Sequence, residues 1–308
     1  MIVSASYRTD IPAFYAGWFL ARLRAGSCRV ANPYGGGTHE VSLLPETVDG
    51  FVFWTRNMRP LMADLDAILR VAPFTVQFTL TGYPRALESS VIVVEEGVAQ
   101  LRELRRRFGP RVVVWRYDPV VFAAGLDAEA HAAGFAGLAR ALAGTVDEVV
   151  LSVVHPYRKT RRNLDRAAQR HGFVWRDPPA EEKRELLARL AAIAAEHGIA
   201  PTLCSQPELL VPGLGEARCI DAERLADVAQ RPIAVRECGN RPGCRCALSR
   251  DIGAYDTCPH GCVYCYAVSD RDRAVRNFRA HDAEADSLAT EHAATASPAG
   301  NEFFTNAR

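Results

Sequence analysis

Nowhere in these 308 residues do 18 or more apolar residues follow one another. A membrane-spanning helix needs about that length, so none is expected. An excess of charge of one sign is missing too. Thirty-seven Lys and Arg against 36 Asp and Glu leave a formal net charge of +1. That makes no general electrostatic case for nucleic acid or an anionic membrane as partner, and leaves only a local basic patch open. Residues 1–10 lack the basic segment and long apolar stretch of a secretory signal, so the expected location is cytoplasmic. There is no internal repeat beyond strand–helix alternation.

Cysteine, in contrast, is present and unevenly spread. Cys28 stands alone, and the other eight of nine fall between Cys204 and Cys265. A reducing compartment argues against a disulfide framework. Even scatter would suit packed thiols, whereas clustering suits ligation of a metal or cofactor.

Residues 1–205 alternate short β-rich runs with helical patterns. The runs are 2–6, 51–55, 74–80, 112–117, 149–154 and 201–204, most of them apolar on both faces. Parallel strands buried between layers read this way. Val98, Leu101, Leu104 and Phe108 recur at helical spacing before Gly109, and Leu186, Leu187, Leu190, Ile193 and Ala194 before Gly198. Helices are also expected over 11–23 and 60–69. The predicted fold is α/β, a parallel (β/α) sheet forming a partial or full TIM-type barrel. From 205 to 257 the chain is rich in Pro, Gly, Arg and Cys, and reads as a loop-rich segment organised by something other than a core. Residues 1–205 are thus the barrel core, 206–270 a Cys-rich segment completing it, and 271–308 a charged helix (270–279) with a tail lacking apolar pattern.

Cys258-Pro-His-Gly-Cys262-Val-Tyr-Cys265 has C-x3-C-x2-C spacing. Three thiolates on one tight loop can face one centre, and Pro and Gly help the loop turn. A cubane iron–sulfur cluster usually takes four cysteines, so three local ligands would leave one iron open. The rival is zinc, with His260 or a distant cysteine as fourth ligand. Cys204, Cys219, Cys244 and Cys246 supply the complement for a second, fully ligated centre, iron–sulfur or structural zinc. Cys238 could replace one of them, and Cys28 reads as a packed thiol.

The stretch 258–267, Cys-Pro-His-Gly-Cys-Val-Tyr-Cys-Tyr-Ala, resembles the radical S-adenosylmethionine enzymes, and especially their spore photoproduct lyase branch. The resemblance implies a 4Fe-4S cluster on Cys258, Cys262 and Cys265, S-adenosyl-L-methionine as cofactor, a radical reaction, and an electron donor such as ferredoxin or flavodoxin. The substrate would be a small molecule or peptide. A non-catalytic iron–sulfur or zinc protein, or a nucleic-acid repair or modification enzyme, is the alternative. In that superfamily the motif follows the first barrel strand. Here it ends the folded region, and circular permutation would reconcile the two. The chain also resembles the family called domain of unknown function 1848. Ser4-Ala-Ser-Tyr-Arg-Thr-Asp10, Phe53-Trp-Thr-Arg-Asn57, Phe78-Thr-Leu-Thr-Gly-Tyr83, Trp115-Arg-Tyr-Asp-Pro119, Cys219-Ile-Asp221, and Cys244-x-Cys246 followed by Asp251-Ile-Gly-x-Tyr255 carry this, over roughly residues 1 to 270.

Ligands of parallel sheets bind at the carboxyl ends of strands. Arg8, Asn57, Arg116 and Asp118 stand at such ends and are the candidate catalytic or substrate-binding residues. Capping and turn-making is the plain alternative; Asp10 before Ile11-Pro12 and Asp118 before Pro119 look like helix starts. Gly35-Gly-Gly-Thr-His-Glu40 superficially resembles the superfamily's Gly-Gly-Glu element, but its loop position carries no role.

Overall fold

All six apolar runs become strands of one parallel sheet. The computed structural model describes residues 1–32, 37–239 and 241–288. Its sheet strands are β1 (Ile2–Ala5), β4 (Gly50–Thr55), β5 (Phe74–Thr79), β6 (Val113–Val120), β7 (Glu148–Val153), β8 (Ala200–Leu203), β9 (Gly215–Glu216) and β10 (Ser249–Asp251). Strands β2 (Ser27–Ala31) and β3 (Thr38–Ser42) form a separate antiparallel hairpin. The sheet order is β10-β1-β4-β5-β6-β7-β8-β9. From β1 onward each strand is added on the same side, as in singly wound sheets; β10, last in the chain, pairs with the free side of β1.

Side-chain alternation divides the sheet's faces. Val3, Phe51, Phe53, Phe74, Val76, Phe78, Trp115 and Leu151 point one way, into the main core. Phe19 of α2 (Ala16–Ala25), Leu65 and Ile68 of α3 (Leu65–Val71), and Leu101 and Leu104 of α4 (Val94–Phe108) pack there. So do Phe135 of α5 (Ala128–Leu142) and Leu187 and Leu190 of α7 (Ala180–Glu196). Each such fully buried side chain contributes roughly 1.5–3 kcal/mol of transfer free energy. Ile2, Val52, Val114 and Val150 point the other way, against Ala217, Ile220, Ala247 and Leu225 of α8 (Ala222–Ala229). Helix α8 approaches closely at Gly50, where a Cβ would lie 2.8 Å from Leu225 Cδ2.

Some expectations shift. The segment after 205 does contribute a core, because α8 and its neighbours cover the inner face. Among the described residues no ladder joins β9 to β10, so the fully closed barrel gives way to an open eight-stranded sheet. Its two edge strands, two and three residues long, are too short to complete a seam. The expected 11–23 helix breaks at Tyr15 into α1 (Ile11–Phe14) and α2. Expected helix 60–69 begins as a 3₁₀ turn, Arg59–Asp64. Asp118 does not start a helix: β6 runs on to Val120, and Pro119, lacking an N–H, falls where the ladder with β7 slips. Helix α6 (Arg158–His171) and α9 (Arg271–Arg279) complete the fold, the latter at the expected charged helix. Residues 35–36 of the Gly-rich stretch and 289–308 of the tail lie outside the described residues. No described helix is long and apolar enough to cross a membrane.

Candidate functional site

The loop after β10 brings Cys258, Cys262 and Cys265 together, half-buried, at the carboxyl end of the sheet. Burial first, then Asp10 and the other two thiols, push Cys258 well above the usual thiol range. Burial also pushes Cys262 up to about 12, with Glu88, Cys265 and Asp10 adding to it and Arg56 opposing. Three neutral thiols sharing one anionic neighbourhood lose their protons readily only to a cation that repays the repulsion.

The loop is fixed by buried polar contacts from three other strand ends. After β1, Asp10 Oδ2 accepts from His260 Nε2 at 2.7 Å and from the Arg56 backbone N–H at 2.8 Å. Its Oδ1 accepts from Thr55 Oγ1 at 2.7 Å and caps α1 through the Ala13 N–H. After β4, Arg56 pairs with Glu88 Oε1 at 2.9 Å and donates to Tyr264 Oη at 2.7 Å. Thr81 and Tyr264 also donate to Glu88. A short bridge pairs Glu88 with Cys262, and the Val263 N–H donates to the Leu87 carbonyl at 3.0 Å. Although burial opposes its charge, Glu88 and Tyr264 hold Arg56 well above its ordinary pKa.

Asp251, the last residue of β10, organises the join to β1. It accepts from Ser4 Oγ, Ser6 Oγ and the Tyr7 N–H, at 2.8, 2.7 and 3.0 Å. Arg8 Nε donates to it at 2.9 Å. Gly253 follows, and a Cβ there would collide with Ser6 Oγ.

A second set of thiols lies against the inner face. Cys204 follows β8 and Cys219 follows β9; their Sγ atoms are 3.4 Å apart. Cys219 also contacts Cys246, and Cys246 contacts Cys244. All four expected residues therefore meet. Two guanidinium groups face them: Arg116 donates to Cys219 Sγ at 3.1 Å and Arg241 to Cys204 Sγ at 3.5 Å. The contact with Cys204 lowers the Cys219 thiol, but that with Cys246, together with burial, leaves it pushed up to about 11. Cys238 is joined to this region through its N–H to the Cys246 carbonyl at 2.8 Å. Among the described residues no three His, Cys, Asp or Glu side chains surround a single metal-ion position.

The two thiol sets are linked by continuous contact. Tyr266 Oη donates to the Tyr7 carbonyl at 2.5 Å, and the Tyr7 ring meets Trp54 edge-on at 6.2 Å. Arg116 lies over Trp54 at 4.9 Å and reaches Cys219.

Of the other candidates, Arg116 and Asp118 are a buried pair on the inner face, 2.5 Å apart, with Gln77 and Ser152 as further partners. Burial would raise the Asp118 carboxyl, but Arg116 and Ser152 hold it below the usual range. Arg8 is committed to Asp251. Asn57 belongs to neither site: its Oδ1 accepts from the Arg59 N–H and from Gln100 Nε2 of α4, which is the turn role. Arg56, Glu88, Gln77, Asp251 and Arg241 were not among the candidates. Arg56 and Asp251 do lie inside stretches that carry the family resemblance, 53–57 and 251–255. Cys28 is a packed thiol on β2, pushed by burial up to about 12.

A comparison with curated proteins gave no match. A family model, domain of unknown function (DUF1848), matches residues 2–267, and with most of its length covered the chain belongs to that family.

Proposed function

We propose that this chain is an iron–sulfur enzyme of the radical S-adenosylmethionine type. The observation that carries the reading is the C-x3-C-x2-C loop: its three thiols gather at the carboxyl end of a parallel sheet. Zinc sites usually pair two C-x2-4-C units, which this loop does not. A cubane takes each thiolate on a separate iron, and three cysteines on one loop leave its fourth iron without a protein thiolate. The donor set therefore fits a 4Fe-4S cluster on Cys258, Cys262 and Cys265. Cys258, Cys262 and Cys265 would hold the cluster, which would supply the electron for reductive cleavage of S-adenosyl-L-methionine to methionine and a 5′-deoxyadenosyl group.

The chain's own residues have separable tasks. Arg56, Glu88 and Tyr264 lock the loop to the sheet. Asp10 and His260 fix its first turn. Arg116 and Asp118, beside Trp54, offer an inner-face cation and anion to orient a small-molecule or peptide substrate. Pairing of β10 with β1 is consistent with a circularly permuted barrel, in which the motif-bearing strand comes last in sequence and first in space. Cys204, Cys219, Cys244 and Cys246 would hold a second cluster. Their close contact equally suits a structural zinc at that set alone.

The test is anaerobic reconstitution with metal and sulfide analysis, followed by reduction with S-adenosylmethionine present. About eight iron and eight sulfide per chain are expected for two cubanes, about four of each plus one zinc for the mixed case. 5′-Deoxyadenosine and methionine should form in both. Zinc without sulfide, or a reduced cluster that yields neither product, overturns the reading.

A further inference from the structure

Helix α6 carries Arg158, Lys159, Arg161, Arg162, Arg166 and Arg170 against one acidic residue, Asp165. This is a strong local departure in a chain of net charge +1. Arg158, Arg161, Arg162, Arg166 and Arg170 are all exposed. A cleft of about 430 Å³ is lined by Arg158, Arg161, Arg162 and Arg166 together with Asp165. Neutralisation from within is slight. Among the described residues the one carboxylate paired with this face is Asp270, 3.9 Å from Arg166. Asp165 is engaged by Trp175 Nε1 at 2.8 Å.

The face adjoins the first thiol site. Arg162 donates to the Ser269 carbonyl at 2.8 Å and Asn163 to that of Val268 at 3.3 Å, a few residues beyond Cys265. Lys159 lies over Tyr255 at 5.4 Å, and its charge acts on the Cys265 thiol. The reaction proposed above consumes an electron.

We infer that α6 is the docking surface of an acidic one-electron donor protein, a flavodoxin or ferredoxin. This rests on the iron–sulfur reading of Cys258, Cys262 and Cys265. The donor is oxidised by one electron and the cluster is reduced by one, with no proton or group transferred. Exposed cations around a cleft, little neutralised by neighbouring carboxylates, attract an acidic partner over about a Debye length and set its orientation.

The test uses the reconstituted holoenzyme, with reduced flavodoxin in one arm and dithionite in the other. In the double variant Arg158→Glu, Arg166→Glu, flavodoxin should bind about tenfold more weakly by titration, and its KM should rise by a similar factor. Raising salt should weaken wild-type binding far more than that of the variant. Dithionite-driven product formation should be unchanged. Reversing two distant exposed arginines, Arg70→Glu and Arg106→Glu, should leave flavodoxin binding as it was. Equal binding by wild type and the α6 variant overturns the inference. So does a variant that loses affinity for a duplex oligonucleotide while keeping flavodoxin, which would make the face a nucleic-acid surface. Failure of the dithionite arm in wild type would instead strike the iron–sulfur reading.

Discussion

Replacing Arg56 by Met should unfasten the motif loop. The Arg56–Glu88 pair is 2.9 Å long, with side chains 10% and 3% exposed. Without the guanidinium, Glu88 stays buried with only Thr81 and Tyr264 donating to it. An uncompensated buried charge of this kind costs about 3–5 kcal/mol. The lost hydrogen bond to Tyr264 adds about 1 kcal/mol. Removing both charges, as Arg56→Met with Glu88→Gln, should cost clearly less than the sum of the single changes, by about 2–3 kcal/mol. The assay is denaturant unfolding of the four proteins of the cycle, metal-free and reduced, at neutral pH. Iron retention after reconstitution should fall in the same order. A cost for Arg56→Met below about 1 kcal/mol, or strict additivity in the double variant, would refute the idea that this pair holds the loop.

Gly261→Ala should lower both stability and iron content at the first site. Gly261 has φ +75°, and a Cβ there would collide with Ser89 and come 2.7 Å from Arg271 Nε; a loss of about 1–3 kcal/mol in unfolding experiments is expected. His131 is fully buried between Tyr117 and the Val121 carbonyl, and burial lowers its pKa from 6.5 to about 4. The unfolded chain then binds the extra proton first, so about 3 kcal/mol of stability is lost as pH falls from 6.5 to 4 and is intact above that window. Relative to His131→Gln, wild type should show that extra slope in pH-dependent unfolding; parallel curves would exclude it. Replacing Cys258 or Cys262 by Ala should remove about four irons and leave the second centre filled, while Cys219→Ala should do the reverse, as read by metal and sulfide analysis. Loss of both centres from either change would show that the two sites are one.

Much of the site was legible before any coordinates. Thiol spacing gave the first set, and the clustering of cysteines between 204 and 265 gave the second, because one residue type crowded into a short stretch stands out in sequence. Apolar runs gave the six longer sheet strands, since burial on both faces leaves a simple pattern. The hairpin left no such trace because much of it is exposed, and β9 and β10 left none because they are two and three residues long. Tertiary structure alone decided which neighbour at a strand end serves the site. Of Arg56 and Asn57, adjacent at the end of β4, Asn57 drew attention but turns to Gln100, while Arg56 reaches Glu88 and Tyr264. Its partners are 32 and 208 residues away in sequence, a separation that leaves no local signature. The same holds for Cys258, Cys262 and Cys265. Their spacing puts them on one loop; only the pairing of β10 beside β1 brings that loop from the end of the chain to the sheet's edge beside β1.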